Sequence, residues 1–233
     1  MPEIYNIDYN DYVEIVGTAH FTRRSINEAY EAIESLKPED VALELDWRRF
    51  RQLNTACLTC PRRESCVSIC EFTAATEALG NVNANIWLID MTEEEMKHRI
   101  SSKMSPFEMF NIPPRIHRYS VENPVWLWER GFKDKVVNDS KKEIEKLRRV
   151  FPSVWQVLID ERNALMSARI VWIASKNLDE GKHPKVLTLV GAAHVEGIKE
   201  LLKKPLLIKE KLEKFDLPFT KPTLIRRVAI QED

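Results

Sequence analysis

The strongest constraint on the fold of this chain is a short phrase that occurs twice, as VGTAHF at residues 16–21 and as VGAAHV at residues 190–195. Each copy follows a run of apolar residues and precedes apolar residues at helical spacing. Glycine lets the chain turn away from a strand without a steric clash at Cβ. Each copy therefore predicts a strand, a tight turn and a helix, which is the repeating unit of α/β proteins with parallel sheets.

The first copy belongs to a predicted βαβ unit. Residues 12–16 are typical of a strand, and a helix follows in which Ser25 is the predicted N-cap and Glu28 completes a capping box. Pro38 ends this helix, because proline disfavours helical backbone in the residue before it. Residues 41–45 then form the second strand. The spacing predicts two parallel strands joined by a crossover helix.

The rest of the chain continues the alternation of strands and helices. Further strands are predicted at 86–90, 186–190 and 224–230, and further helices at 48–54, 71–79, 138–149, 152–176 and 195–203, with another helix beginning after Thr92. Prolines and large apolar residues between about 100 and 150 indicate a helical insertion. We predict one α/β domain over residues 1–233, with a mostly parallel central sheet flanked by helices and a cysteine-rich loop at 55–71.

Composition limits the classes of function. The chain is 44% hydrophobic and 30% charged, which is typical of a globular protein. A net charge of −1 argues against a dedicated nucleic-acid-binding protein. No stretch approaches 18 uninterrupted apolar residues, and the acidic N-terminus lacks the apolar region of a signal peptide. We expect a cytoplasmic protein with a peptide or small-molecule ligand, no nucleic acid and no membrane span; homo-oligomerisation stays open.

Side chains with catalytic or metal-binding chemistry follow the predicted strands. In an open α/β sheet, ligands bind beyond the carboxyl ends of the strands. His20 and His194 follow two of these strands, and Glu44 and Asp90 lie at the ends of two others. Two imidazoles and a carboxylate suit a transition metal, and they equally suit a metal-free reaction with histidine as general base. Asp90 also fits a purely structural helix cap.

The segment that begins at Gly17 resembles the opening motif of the TraB/PrgY family, the pheromone-shutdown proteins. The family pattern is GTAHxSxxS, a helix, then P-x-x-V-x-x-E-L-C and an arginine shortly after. The positions that match are Gly17, His20, Ser25, Pro38, Val41, Glu44, Leu45 and Arg49. Thr22 and Asp46 depart from the pattern, since the family often has Ser and Cys at these positions.

Later motifs of the same family follow in order. Asp90 and Arg99 match a strand that ends in Asp-Arg and a second arginine in the next helix, although Met91 replaces the first arginine. The family's E-R-D motif corresponds to residues 161–163, which read Glu-Arg-Asn, and its second G-x-x-H to residues 191–194. The resemblance covers most of the chain outside the cysteine-rich segment.

The TraB/PrgY family is similar to a broader group that includes Tiki proteases, erythromycin esterases and haem-binding ChaN proteins. The shared features are two GxxH motifs and nearby acidic residues on an α/β core. The resemblance therefore implies a metal-dependent, peptidase-like hydrolase on an EreA/ChaN-like core. The alternative is a non-catalytic protein that sequesters a small peptide or haem in the same crevice.

The resemblance also implies roles for individual residues. The implied catalytic set is His20, Glu44, Arg49, Glu161, Arg162 and His194. The two histidines would hold a divalent zinc, manganese or cobalt ion, helped by Glu44 or Glu161. A free carboxylate would take the proton from water, and one of the two arginines would stabilise the oxyanion or a substrate carboxylate.

The cysteines form a separate cluster. All four lie within 14 residues, as Cys57, Cys60, Cys66 and Cys70. Four thiolates suit a structural zinc site, and an iron–sulfur cluster is a second option, although the spacing is not that of ferredoxins. Two disulfides or free thiols are the alternatives, and disulfides are unusual in a cytosol outside hyperthermophiles. A bridge of either kind would hold the loop after the second strand.

We expect this cysteine cluster to bind a metal, because four closely spaced thiolates favour metal coordination over isolated thiols. Metal analysis combined with thiol titration, with and without reductant, tests this expectation. Metal that is released when the thiols are modified supports it. Metal-free protein that gains four thiols on reduction would instead establish two disulfides.

Overall fold

A five-stranded sheet forms the centre of the computed structural model, which describes residues 4–19, 22–58, 84–110, 127–128 and 130–225. The strands are β1 (Val13–Thr18), β2 (Asp40–Leu43), β3 (Asn85–Leu88), β4 (Val186–Gly191) and β5 (Thr223–Ile225). Their order in the sheet is β1-β4-β2-β3-β5. The first four strands are parallel, and β5 runs antiparallel to β3. The predicted α/β fold with a mostly parallel sheet is confirmed.

Helices flank both faces of this sheet. They are α1 (Arg23–Leu36), α2 (Trp47–Leu58), α3 (Glu93–Lys103), α4 (Pro106–Phe110), α5 (Lys133–Val150), α6 (Pro152–Trp155), α7 (Arg162–Asp179), α8 (Ala192–Lys203) and α9 (Leu206–Lys214). A π-helical segment, Gln156–Glu161, joins α6 to α7. Within the ranges given above, no helix is long and apolar enough to cross a membrane. The predicted helix 71–79 lies outside those ranges.

The strands β1 and β4 form a topological switch point. Alternate residues of β4 face opposite sides of the sheet, as a period of two requires. Leu187 and Leu189 pack with α1 on one side, whereas Val186 and Val190 pack with α7, α8 and α9 on the other. The helices that follow β1 and β4 thus lie on opposite faces, although the strands are neighbours. In open α/β sheets, ligands bind in the crevice at this kind of position.

The two GxAH phrases meet at this switch point. Thr18 of β1 is in register with Gly191 of β4, so the two strands end side by side. Gly17 lies directly beneath the first turn of α8, where a Cβ atom would come within 2.7 Å of Val195 Cγ2. The glycine of the first phrase therefore makes room for the helix of the second. His20 itself lies outside the described residues.

Two predicted helix starts differ from the structure. Helix α1 begins at Arg23, and its N-cap is Thr22, whose side chain accepts a hydrogen bond from Ser25 N. The expected cap, Ser25, is instead a buried residue of the first turn. Helix α8 begins at Ala192 and not at residue 195, so His194 lies in its first turn. The turn after β4 needs only Gly191, because that residue is both the strand end and the helix N-cap.

The structure also adds to the predicted helices. Helix α5 begins at Lys133, five residues before its predicted start. Helix α9 was not predicted, although Pro205 precedes Ile208 and Leu212 at helical spacing and both are buried. Proline at a helix start followed by apolar residues four apart was the available signal.

We expect Gly17→Ala to lower the free energy of unfolding by about 1–3 kcal/mol, because the added methyl group overpacks the contact with Val195. Chemical denaturation measures this loss. The matched comparison is Gly17→Ala in a Val195→Ala background, where the clashing Cγ2 atom is absent. An equal loss in both backgrounds would contradict the close packing of α8 on β1.

Candidate active site

Five charged or polar side chains from separate elements meet at the carboxyl edge of the sheet. We call them the carboxyl-edge cluster: Glu44, Arg49, Asp90, Arg162 and His194. Glu44 directly follows β2, and Asp90 lies two residues after β3. Arg49 belongs to α2, Arg162 opens α7 and His194 belongs to α8. The structure thus brings together residues from four distant parts of the sequence, near positions 44–49, 90, 162 and 194.

Arg162 is the centre of this cluster. Its Nε and Nη2 atoms donate to the two carboxylate oxygens of Asp90 over 2.9 and 2.8 Å, which makes a bidentate pair. Nη2 also donates to Glu44 Oε1. Nη1 lies 3.1 Å from His194 Nε2 and donates to the carbonyl oxygen of Leu158 over 3.2 Å. One guanidinium therefore holds both carboxylates and the imidazole.

Glu44 ties the cluster to the second GxAH phrase. Its Oε2 atom accepts a hydrogen bond of 2.6 Å from the backbone N–H of Gly191, while Oε1 accepts from Arg162. The backbone continues the β-ladder at this point, because Glu44 N donates to the carbonyl oxygen of Leu189 over 3.1 Å. Both carboxylate oxygens are thus engaged, and the side chain is buried.

His194 is oriented by a neighbour that the sequence did not single out. Its Nδ1 atom lies 2.7 Å from Asn163 Oδ1, an acceptor, so Nδ1 carries the proton and donates. The lone pair of Nε2 then points toward Arg162, with Glu44 Oε1 3.5 Å away. Asn163 rests on Gly197, where a Cβ atom would come within 2.2 Å of the amide nitrogen.

Arg49 is the part of the cluster that reaches solvent. Its side chain is 30% exposed, whereas the side chain of Asp90, to which Nη1 donates over 2.8 Å, is fully buried. Within the described part of the chain, its other N–H groups have no hydrogen-bond partner. Asp46 fixes the backbone of this residue, because its carboxylate caps α2 by accepting from Arg48 N and Arg49 N. A guanidinium in this setting can still bind an anion.

The charges of the cluster balance each other. Burial alone would raise the pKa of Asp90, but Arg162 and Arg49 together lower it below its ordinary value. Burial likewise opposes the charge on Arg162, and the two carboxylates raise its pKa above the ordinary value. Two carboxylates thus offset two guanidinium groups. Buried charges are costly unless they are paired in this way.

Glu161 lies apart from the cluster. Its carboxylate contacts Arg99 and Lys103 of α3 and accepts a hydrogen bond of 2.7 Å from Gln156 Nε2. Glu161 ends the π-helical segment and Arg162 begins α7, and the two side chains contact different surroundings, as neighbouring residues of a helix do. Short π-helical segments are frequent at functional sites. Arg99 also donates to backbone carbonyl oxygens after α9, which makes the Glu161 contact a link between helices.

The described part of the first GxAH loop is held by a buried pair of hydroxyl groups. Ser25 Oγ accepts from Ala19 N over 3.0 Å and lies 2.7 Å from Thr22 Oγ1. The apolar cluster of Leu127, Trp128 and Val136 packs against Ala19 and against Ala192 of the second phrase. The indole N–H of Trp128 is buried and has no hydrogen-bond partner in the described regions. This apolar cluster therefore covers both phrases.

A metal ion between Glu44 and His194 would lie next to a positively charged side chain. The guanidinium of Arg162 already contacts the Glu44 carboxylate and lies next to His194 Nε2. Because like charges at contact distance repel strongly in a buried site, these two residues do not fit a divalent ion as they stand. Of the described residues, no group of three or more His, Cys, Asp or Glu side chains is arranged to hold a metal ion.

Several site predictions fall outside the residues with a described position. His20 is one of them, and so are Cys60, Cys66 and Cys70. Cys57 lies in the last turn of α2. The zinc, manganese or cobalt ion expected at the histidines and the zinc or iron–sulfur cluster expected at the cysteines therefore stay predictions.

Two supporting residues were missed by sequence reasoning. Asn163 was noted only as the third residue of a family motif, and Arg169 was not noted. Arg169 donates to the carbonyl oxygens of Ile89 (3.0 Å) and Asp90 (2.5 Å), so it fixes the backbone that carries the Asp90 carboxylate. Its spacing of seven residues from Arg162 puts both on one side of α7. That spacing was the available signal.

Comparison with known proteins gives one related sequence and no function. No family model matches the chain. An uncharacterized protein of Methanocaldococcus jannaschii is 28% identical over 224 aligned residues. The alignment covers 82% of this chain and 53% of the relative, so the chain spans about half the length of that protein. The resemblance to the TraB/PrgY family stays a prediction.

We expect Asp90→Asn to lower the free energy of unfolding by about 3 kcal/mol at neutral pH, because it leaves the buried Arg162 with Glu44 as its one carboxylate partner and removes the counter-charge of Arg49. The pKa of Asp90 is lower in the folded chain, so its stabilising effect is complete above the unfolded pKa of about 4. It is lost as pH falls further. The difference between wild type and variant should therefore shrink below about pH 4.

Denaturation curves between pH 7 and 2 measure this difference. The matched control is Glu93→Gln, which removes an exposed carboxylate three residues away. An exposed ion pair contributes little, so the control should leave stability nearly unchanged. A pH-independent difference for Asp90→Asn would contradict the proposed role of its charge.

Proposed function

We propose that this chain is a hydrolase of amide or ester bonds, peptidase-like in substrate, whose reaction takes place at the crevice beside the carboxyl-edge cluster. One observation carries the proposal. Two carboxylates, two guanidinium groups and an oriented imidazole converge from five elements at the edge of the sheet where α/β proteins bind ligands. The resemblance to TraB/PrgY and Tiki-like proteins supports the same class of reaction.

Burying the charged groups of this cluster costs folding free energy, and this cost supports a functional interpretation. Replacing buried ion pairs with packed apolar residues often leaves the stability of the fold unchanged or raises it. Stability alone therefore gives little reason for a chain to keep charges buried. Groups with perturbed pKa values that gather in a crevice are candidates for function. Asp90 and Arg162 both have shifted pKa values, and both lie within contact distance of the cluster's other members.

His194 is the proposed general base. Its Nδ1–H is held by Asn163, which fixes the ring with Nε2 as the acceptor atom. In the resting site Nε2 faces Arg162 Nη1 over 3.1 Å, so the proposed step requires substrate water to replace this contact. An amide oxygen that orients histidine in this way has the role of the third member of a catalytic triad. In the proposed step, water attacks the carbonyl carbon, Nε2 takes the water proton, and the leaving group later receives it.

Arg49 is the proposed substrate-binding cation. Its partial exposure, and the N–H groups that have no partner among the described residues, let it meet a developing oxyanion or a substrate carboxylate without breaking its bond to Asp90. Arg162 has a different role, because its donors are taken by Glu44, Asp90 and His194. It positions the cluster and lowers the pKa of Asp90, which keeps that carboxylate ionised.

A metal-dependent form of the reaction has one observation in its favour. A metal-binding histidine usually donates its other ring N–H to a carbonyl or carboxylate oxygen, as His194 does to Asn163. The position of Arg162 opposes this form, since its charge would repel the ion. His20 would have to supply the further ligand.

The test uses purified full-length chain with fluorogenic peptides and nitrophenyl esters as probes. We expect His194→Ala to lower kcat/KM by about 100-fold or more, since a general base contributes at least that much. Arg49→Ala should act mainly through KM for probes that carry a carboxylate. The matched control is His183→Ala, because His183 is exposed and lies before the opposite, amino end of β4.

Four outcomes decide the proposal. Activity that survives chelation and falls in His194→Ala supports the metal-free form. Loss on chelation with recovery on adding zinc, manganese or cobalt, together with loss in His20→Ala, supports the metal-dependent form. Equal activity in wild type, His20→Ala and His194→Ala would overturn the hydrolase. Haem titration that yields a Soret band without turnover would favour the non-catalytic binding alternative.

A further inference from the structure

Strand β1 forms an open edge of the sheet in the part of the chain that the structure describes. It pairs with β4 on one side, and no described strand pairs with its other side. An unpaired edge strand is a template for another strand, and proteins normally protect such edges with proline, lysine or a covering segment. The only charged residue of β1, Val13–Thr18, is Glu14.

The hydrogen-bonding direction of each β1 residue follows from one contact. Val186 N donates to the carbonyl oxygen of Tyr12 over 3.1 Å, so the backbone groups of Tyr12 face β4. Because these groups alternate along a strand, those of Glu14 and Val16 also face β4. The backbone N–H and C=O groups that point away from the sheet belong to Val13, Ile15 and Gly17. Each of these three residues presents one N–H donor and one C=O acceptor, at regular spacing along the edge of the sheet.

Helix α8 lies beside this edge and runs in the opposite direction to β1. Val195 lies against Gly17 near the carboxyl end, and the carbonyl oxygen of Lys199 accepts from Asn10 Nδ2 (3.1 Å) before the amino end. An open groove between α8 and β1 is lined by charged side chains of the helix. These are Glu196, Lys199, Glu200, Lys203 and Lys204. The acidic Glu196 is near one end of β1, and the basic pair Lys203–Lys204 is near the other.

We propose that β1 pairs with β1 of a second copy of this chain, antiparallel about a two-fold axis that passes through Ile15. In this register Ile15 exchanges two backbone hydrogen bonds with the partner's Ile15, and Val13 with the partner's Gly17. Glu14 is opposite the partner's Val16, so the two acidic side chains are not paired directly. The two sheets then form one continuous sheet.

The charges along the groove favour a second copy over an unrelated strand. A two-fold axis at Ile15 exchanges the two ends of β1, which brings Glu196 of each copy toward the basic end of the other. The attractive contact therefore occurs twice in the dimer. Surface charges of this kind contribute mainly to specificity and register, while strand pairing contributes the backbone hydrogen bonds. The inference does not depend on the proposed reaction.

The first test measures molar mass and amide exchange of the full chain. Light scattering coupled to size-exclusion chromatography should give roughly twice 27.2 kDa. Hydrogen exchange at Val13, Ile15 and Gly17 should slow as protein concentration rises, because no strand among the described residues pairs with these amides and dimerisation would. A monomeric mass at every concentration would overturn the proposal. A dimer whose exchange at these three amides does not depend on concentration would overturn it as well.

The second test reverses charges on the exposed face of α8. Glu196→Lys should raise the dissociation constant of the dimer at least about tenfold, because two attractive contacts become repulsive. Lys203→Glu should weaken it in the same direction. Combining both changes restores opposite charges across the axis and should recover dimerisation. Both residues are exposed, so the variants are expected to fold. A dimer that none of these changes affects would assign the interface to another surface and reject the β1 pairing.

Discussion

The guanidinium of Arg162 is the interaction on which the carboxyl edge depends. It joins the ends of β2 and β3 to α7 and α8 through Glu44, Asp90 and His194. Without this cation, the buried Glu44 would lose the guanidinium that it contacts and Asp90 would keep Arg49 alone, and the cost would be several kcal/mol. The alignment of the strand ends, the first turn of α8 and the ionised state of Asp90 are therefore coupled through one side chain.

Much of the fold was predictable because its signals are local. Apolar runs followed by glycine mark β1 and β4, and Pro38 marks the end of α1, so the βαβ unit follows from short stretches of sequence. The exact helix starts were not predictable in the same way. Thr22 and Ser25 are both good N-cap residues, and the choice depends on the buried contact between Ser25 and Ala19, which is tertiary.

The candidate site was predictable in part. Glu44, Asp90 and His194 each follow a strand, and the carboxyl ends of parallel strands lie at one edge, so their convergence follows from topology. The contacts of Arg162 were not predictable, because Glu44, Asp90 and His194 come from other parts of the chain and these hydrogen bonds are tertiary. The π-helical segment Gln156–Glu161 departs from the single helix predicted over 152–176, and no local feature of the sequence indicates it.

The contact between Asn163 and Gly197 constrains how this chain can change over evolution. The amide of Asn163 occupies the space that a side chain at position 197 would need, and the same amide orients His194. A larger residue at position 197 would push the amide away and release the imidazole. In related sequences, positions 163 and 197 should therefore vary together: wherever the glycine is replaced, a smaller or differently shaped residue should replace the asparagine, and the histidine would need a new partner.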